Sequence, residues 1–192
     1  MHYFIKKLIS YIFLIKNHVN FQSKVFVERT KNITLGDNVE INYRSRIRSR
    51  HDDSFIYIGN NVKVREFVEI NAKGNEIKIG DYCFIAKNCW IGGAGNIYIG
   101  SNTMVGISSL LVASDHDYMN IQVPYYDHSE IPKNIIIGEN VWIGAGVIVL
   151  GGSKIGPGSV VSAGAVVKGS YPNDSLIAGI PACVKSIIKR NI

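Results

Sequence analysis

One short segment of this 192-residue chain gathers side chains able to move a proton: Ser114-Asp115-His116-Asp117-Tyr118. An imidazole, with an ordinary pKa of about 6.5, can take a proton from an incoming hydroxyl or amine near neutral pH. That chemistry would make His116 a general base. The flanking Asp115 and Asp117 would orient the ring or stabilise its cation, although sequence neighbours need not face one another. A lone loop histidine is ordinarily a surface residue, so His116 gains weight only from where the chain places it. His128, beside Tyr125, Tyr126 and Asp127, is a weaker candidate of the same kind.

Other chemistries find little support. A catalytic zinc site needs three converging ligands, and only His116 and His128 share a region, so no metal is expected. The three cysteines, Cys83, Cys89 and Cys183, form no Cys-x-x-Cys pair and no even disulfide set. Cys83 and Cys89 lie six apart and are expected to fill the core. The net charge of +6 suits an anionic partner or a solvated surface. There is no zinc-finger spacing, RNP motif or helix-turn-helix pattern, so nucleic acid is not expected.

The elements that must position His116 follow from a period of six. Ile137, Ile143, Val149, Ile155, Val161 and Val167 recur without a slip. Upstream the same frame comes in threes: Leu35, Ile41, Ile47; Ile58, Val64, Ile70; Ile79, Ile85, Ile91; Ile99, Val105, Leu111. Six matches neither a helical period nor continued strand alternation. It suits a short strand and a tight turn, with three such units closing a triangular coil. β-Branched residues fit the strands, and glycines fit corners that need unusual dihedrals. Extra residues enter between groups at one and the same corner. Between Leu111 and Ile137 the period fails altogether, and the excursion of residues 113–134 carries His116. Long loops within compact repeats are often functional.

Ile-Gly-Glu-Asn-Val-Trp-Ile-Gly-Ala-Gly (137–146) and Ile-Gly-Pro-Gly-Ser-Val (155–160) resemble the hexapeptide-repeat acyltransferases, over residues 30–185. The resemblance implies an all-β, left-handed parallel β-helix, a homotrimer with sites between subunits, and acetyl-CoA as co-substrate. Ile99-Gly-Ser-Asn, Val105-Gly, Leu111 and then His116 resemble galactoside- and maltose-type acetyltransferases; the Ser-Asp-His-Asp-Tyr form resembles the O-acetyltransferases of surface polysaccharides. By that resemblance His116 deprotonates a sugar hydroxyl in lipopolysaccharide or capsule biosynthesis. The implied CoA contacts are Trp142, Gly144, Ala145, Ala163, Gly164, Lys168, Pro181 and Lys185. Cys183 and Lys168-Gly169 stand where the family often has other residues. An Asn of the galactoside type aligns with Ala86 here, which leaves Asn88, Asp115, Asp117 and Tyr118 as acceptor-binding candidates. Transfer to the amine of a nucleotide-linked amino sugar, and a non-catalytic β-helix scaffold, are the alternatives.

Three segments are expected. Residues 1–24 form a helical segment that covers the open end of the fold or faces a membrane through residues 3–16. Residues 25–182 form the catalytic β-helix, and 183–192 a short C-terminal helix or tail. The apolar run from Tyr3 to Ile15, flanked by Lys6, Lys7 and Lys16, is too short to span a bilayer. A cytoplasmic protein at the inner face of the membrane fits this pattern.

Overall fold

The computed structural model describes residues 2–119 and 121–190, without the side chains of residues 2–4 and 6. Part of the membrane-facing expectation for 3–16 therefore lies outside the described residues, as does the end of the tail. The chain winds into a parallel β-helix of about seven coils, each giving one strand to each of three parallel sheets. Register is strict. Ile91 pairs with Ile70 below and Leu111 above, and Ile99 with Ile79 and Ile137.

Strands of two to four residues have no stability of their own; stacking satisfies their backbone groups in both directions. Their period-two pleat sends one aliphatic inward at each face. Ile47, Ile70, Ile91, Leu111, Val149 and Val167 thus form one fully buried column. Small side chains before the strands close the corners. Thr103 and Ser109 donate to the Gly138 and Gly144 carbonyls one coil on, and Cys83 and Cys89 reach the Gly100 and Gly106 carbonyls in the same way.

The glycines after the third-face strands do a different job from the one expected. Gly36, Gly59, Gly80, Gly100, Gly138 and Gly156 have ordinary dihedrals; the left-handed turn residue falls two places later, at Asn38, Asn61, Tyr82, Asn102, Asn140 and Gly158. A Cβ on Gly100 would stand 2.5 Å from the Gly138 and Glu139 backbone. Close stacking of coils, not backbone freedom, requires glycine there.

The two ends also refine the expected boundaries. A helix, His2–Lys16, lies over the first coil, with Leu14 and Ser10 fully buried beneath it. Ser10 Oγ accepts the Val27 N–H at 2.7 Å, and Tyr11 meets Phe21 edge to face at 5.5 Å. The first coil already begins at Asn20, which pairs with Glu40. At the other end the expected C-terminal helix is absent from the described residues. Ser175–Gly179 and Ala182–Ile187 instead form an antiparallel hairpin on the first sheet. The open top edge of that sheet offers unpaired backbone groups, and a returning strand satisfies them where a helix would not.

Candidate active site

The excursion leaves the solenoid between a second-face strand, Leu110–Val112, and a third-face strand, Ile135–Ile137. Its base is a small antiparallel ladder pairing Ser114 with Pro132 and Asp115 with Ile131. Continuing that register sets His116 opposite Glu130. The base sits on a flat seat. Gly95 N–H donates to the Ala113 carbonyl at 2.7 Å, and Ala113 N–H to Gly92 at 2.8 Å. A Cβ on Gly93 would meet Ala113 at 2.8 Å, one on Gly95 would meet Lys133 at 2.5 Å, and one on Gly151 would meet Lys133 at 2.6 Å. Glycines in the coils below and above thus clamp the two feet of the excursion.

Two ion pairs hold the histidine's surroundings. Lys133 Nζ donates to Asp115 Oδ2 at 2.9 Å, and Lys73, two coils below, pairs with Glu130 Oε1. The Lys133 ammonium keeps the Asp115 carboxyl below the usual carboxylate range, helped by the His116 N–H, which donates to Asp115 Oδ1 at 3.0 Å. The Lys73 ammonium lowers Glu130 likewise, against the raising effect of burial, and a charged His116 lowers it further. Glu130 Oε2 is buried without a hydrogen-bond partner among the described residues. The His116 side chain is exposed.

These contacts reassign several expected roles. Asp115 is engaged by Lys133 and by the His116 N–H, and Asp117 accepts the Met119 N–H at 3.2 Å. Glu130 is the carboxylate that a charged His116 lowers. Only the hairpin pairing, which sequence spacing does not show, brings the two together. Tyr118 is exposed beside the histidine. His128 staples the loop: its Nε2 lies 2.9 Å from the Val123 carbonyl, and its ring packs edge to face on Tyr125. Lys168, one of the expected cofactor contacts, lies on the same corner, close enough to lower the Asp115 carboxyl.

The other expected cofactor residues stand elsewhere. Trp142 is half exposed on the first face; Ala145, Ala163 and Gly164 are exposed at the first–second corner, and Pro181 and Lys185 on the terminal hairpin of the first sheet. Gly144 is buried, with Ala163 N 2.6 Å from where its Cβ would be, so its role is to let coils stack. Asn88 takes the left-handed turn position of its corner, φ 60, with its N–H on the Glu66 carbonyl. Within one chain, His116 and this group occupy opposite edges of the second face.

Residues 134–169 match the bacterial transferase hexapeptide (six repeats) family. Solved structures share the fold of this chain. The polySia specific acetyltransferase NeuO is 26% identical, with 90% of this chain and 72% of that chain covered and a TM-score of 0.68. A mutant of AntD, an N-acyltransferase from Bacillus cereus, in complex with dTDP and coenzyme A, is 24% identical over 81% of this chain and 84% of that one, at TM-score 0.66. A second AntD mutant, in complex with dTDP-4-amino-4,6-dideoxyglucose and coenzyme A, is 21% identical over 94% and 89%, at TM-score 0.62. The coils of this chain thus carry a histidine hairpin at one corner and an exposed indole on the first face. No cluster of three or more His, Cys, Asp or Glu placed to hold a metal occurs among the described residues.

Proposed function

We propose that this protein is an acetyl-CoA-dependent O-acetyltransferase acting on a sugar hydroxyl of a surface glycan or its lipid-linked precursor. The observation that carries the reading is the hairpin that presents an exposed His116 beside a half-buried, ion-paired Glu130. Similarity to the polySia specific acetyltransferase NeuO along 90% of the chain supports it. His116 takes the proton of the acceptor hydroxyl as its oxygen attacks the thioester carbonyl carbon. The C–S bond then breaks, and the imidazolium returns the proton to the departing thiolate. Glu130 beside the ring favours the imidazolium that forms between these steps.

The opposite placement of His116 and of Trp142, Ala145, Ala163 and Gly164 favours a site built from two copies, one giving the histidine corner and the other the cofactor wall. The upper second face, with Trp90, Leu110, Ile148, Leu150 and Val166 pointing outward, is an apolar surface suited to such a homotrimer. Contact of residues 3–16 with the inner face of a membrane would bring the site to a lipid-linked acceptor.

Acetyl-CoA binding by calorimetry comes first, then release of free CoA thiol with sugar acceptors. His116→Ala should lower turnover about 100- to 10,000-fold while acetyl-CoA affinity holds. Equal turnover in wild type and variant would sink the assignment. Turnover confined to amino-sugar acceptors would move the reading to N-acyl transfer.

A further inference from the structure

The end of the solenoid farthest from the histidine hairpin has features that acyl transfer does not use. The first 50 residues hold 10 Lys or Arg against 3 Asp or Glu, while the remaining 142 hold 11 against 12. The whole positive excess of the chain therefore sits in the N-terminal helix and the first two coils. No helix among the described residues is long and apolar enough to cross a membrane. Yet the N-terminal helix turns its apolar side both ways. Leu14 packs inward, while Ile5, Leu8, Ile9, Ile12 and Ile15 lie on the outer side, each about half exposed or more. Their spacing makes one continuous apolar stripe along a single helix face.

That stripe runs between two cationic grooves. One, of about 620 Å³, is lined by Lys7 of the helix and by Lys24, Arg44, Arg46 and Arg48, with Phe67 beside them and Glu69 as its carboxylate. Arg48 is mostly buried; it reaches Glu69 at 3.3 Å through one guanidinium nitrogen, and its Nε has no hydrogen-bond partner among the described residues. The other groove, beside Ile9, carries Arg29, Lys31 and Arg50.

The backbone supplies an independent sign that the first groove is built. Each coil needs a left-handed residue at the first–second corner. In the four upper coils it is Asn88, Ser108, Gly146 and Gly164, small or amide residues suited to it. In the three lower coils it is Lys24 (φ 63), Arg44 (φ 58) and Phe67 (φ 58), long or bulky side chains that fit it poorly. They stack on one another. Arg44 lies 5.2 Å from the Tyr43 ring centre and 6.0 Å from that of Phe67, and Lys24 Nζ donates to the Tyr43 hydroxyl at 3.1 Å. Residues held in strained backbone mark places where the side chain is wanted.

We propose that this end of the solenoid docks on an anionic bilayer: the outer helix stripe enters the headgroup–acyl boundary, and the Arg44–Arg46–Arg48 groove takes a lipid headgroup phosphate. Guanidinium groups recognise phosphate oxygens by paired charge-assisted hydrogen bonds, and Arg44 and Arg46 are exposed at this groove. An apolar helix face with cations beside it is the pattern of an interfacial helix. A second copy of this chain is the poorer occupant, since a symmetric contact on this face would bring like charges together. The inference deepens the membrane contact proposed above and does not depend on acyl transfer.

The test is co-sedimentation of the full chain with vesicles of phosphatidylcholine, alone or mixed with phosphatidylglycerol. Wild type should partition at least tenfold more strongly onto the anionic vesicles, less so at high salt. Arg44→Gln with Arg46→Gln should weaken that partition roughly 30-fold, at about fivefold per cation. Leu8→Ser with Ile12→Ser should abolish it with melting unchanged. Equal partition onto both vesicles, or none, overturns the proposal. Loss of the oligomer in the Leu8/Ile12 variant, read by light scattering, overturns it in favour of a second copy. Binding of free glycerol phosphate that needs Arg44 and Arg46, without vesicle partition, overturns it in favour of a soluble phosphate ligand. Free-CoA release is read on the same samples, so loss of either activity is told apart from loss of the other.

Discussion

The third–first and second–third corners of the prism face the same problem and solve it in opposite ways. At the third–first corner every coil turns in a few residues, and glycines from Gly36 to Gly156 let each turn rest on the next. At the second–third corner the length varies among the coils, and one opens into the 113–134 excursion. A solenoid coil needs only its three inward aliphatics in register; chain added between two of them costs little loop entropy. The corner that stacks tightly carries stability, and the corner that tolerates insertion carries the chemistry.

Cutting the excursion tests this division most severely. Replacing residues 114–132 by a short Gly-Ser turn should bring acetyl transfer to background, while circular dichroism shows the β-helix intact and melting within a few degrees. An insertion of the same length after Ser101, at the tight corner, should unfold the protein. Comparable melting of the two variants would break the comparison.

Single methyl groups sharpen it. Gly100→Ala pushes a Cβ into the backbone of the next coil, and overpacking of this kind should cost about 1–3 kcal/mol in urea melts. Gly95→Ala meets backbone equally closely, but the atoms it strikes belong to Lys133 at the foot of the excursion. It should therefore lower turnover more than stability. Equal stability losses with unchanged turnover would show that the seat does not position His116.

Glu130→Gln gives a smaller effect with a pH signature. Lys73 holds this carboxyl low, so its contribution to stability is in place above the unfolded pKa of about 4.3 and is lost as pH falls through the lower folded value. The variant should be less stable by up to about 1 kcal/mol near neutrality, and the gap should close on acidification. In turnover, Glu130→Gln should lower kcat across the pH profile, because the imidazolium formed during transfer loses a neighbouring carboxylate. An unchanged profile would leave Glu130 with a structural role alone.

The period of six made the coils, the inward columns and the odd corner legible from residues alone, because side-chain alternation and stacking are local in sequence. The candidate site was legible only in part. His116 stood out because it interrupts a period. Glu130 did not, since a hairpin crossing 14 residues creates the pairing and no spacing rule reports it. The one signal available was the run Gly92-Gly93-Ala94-Gly95 facing Gly151-Gly152 at the same corner, glycines in excess of what the turns require. The C-terminal strand was missed because a short apolar-basic tail fits a helix equally well until the open sheet edge is seen.

The smallest expected effect concerns the tight turns themselves. Burial pushes the Cys83 thiol up to about 11 and raises Cys89 as well, so both stay protonated at pH 8 while folded. Cys183 is exposed. Iodoacetamide at that pH should label one cysteine per native chain and three per denatured chain, counted by mass spectrometry. A thiol raised by folding favours the native state below its unfolded pKa, so this protection should fade only as the solution passes the folded value. Thr103 and Ser109 already make the same hydrogen bond one coil later, so Cys83→Ser should change stability by less than about 1 kcal/mol. Rapid native labelling of Cys83 would mean that its coil opens at the tight corner, and the division between a stable corner and a chemical one would fail where it is expected to be firmest.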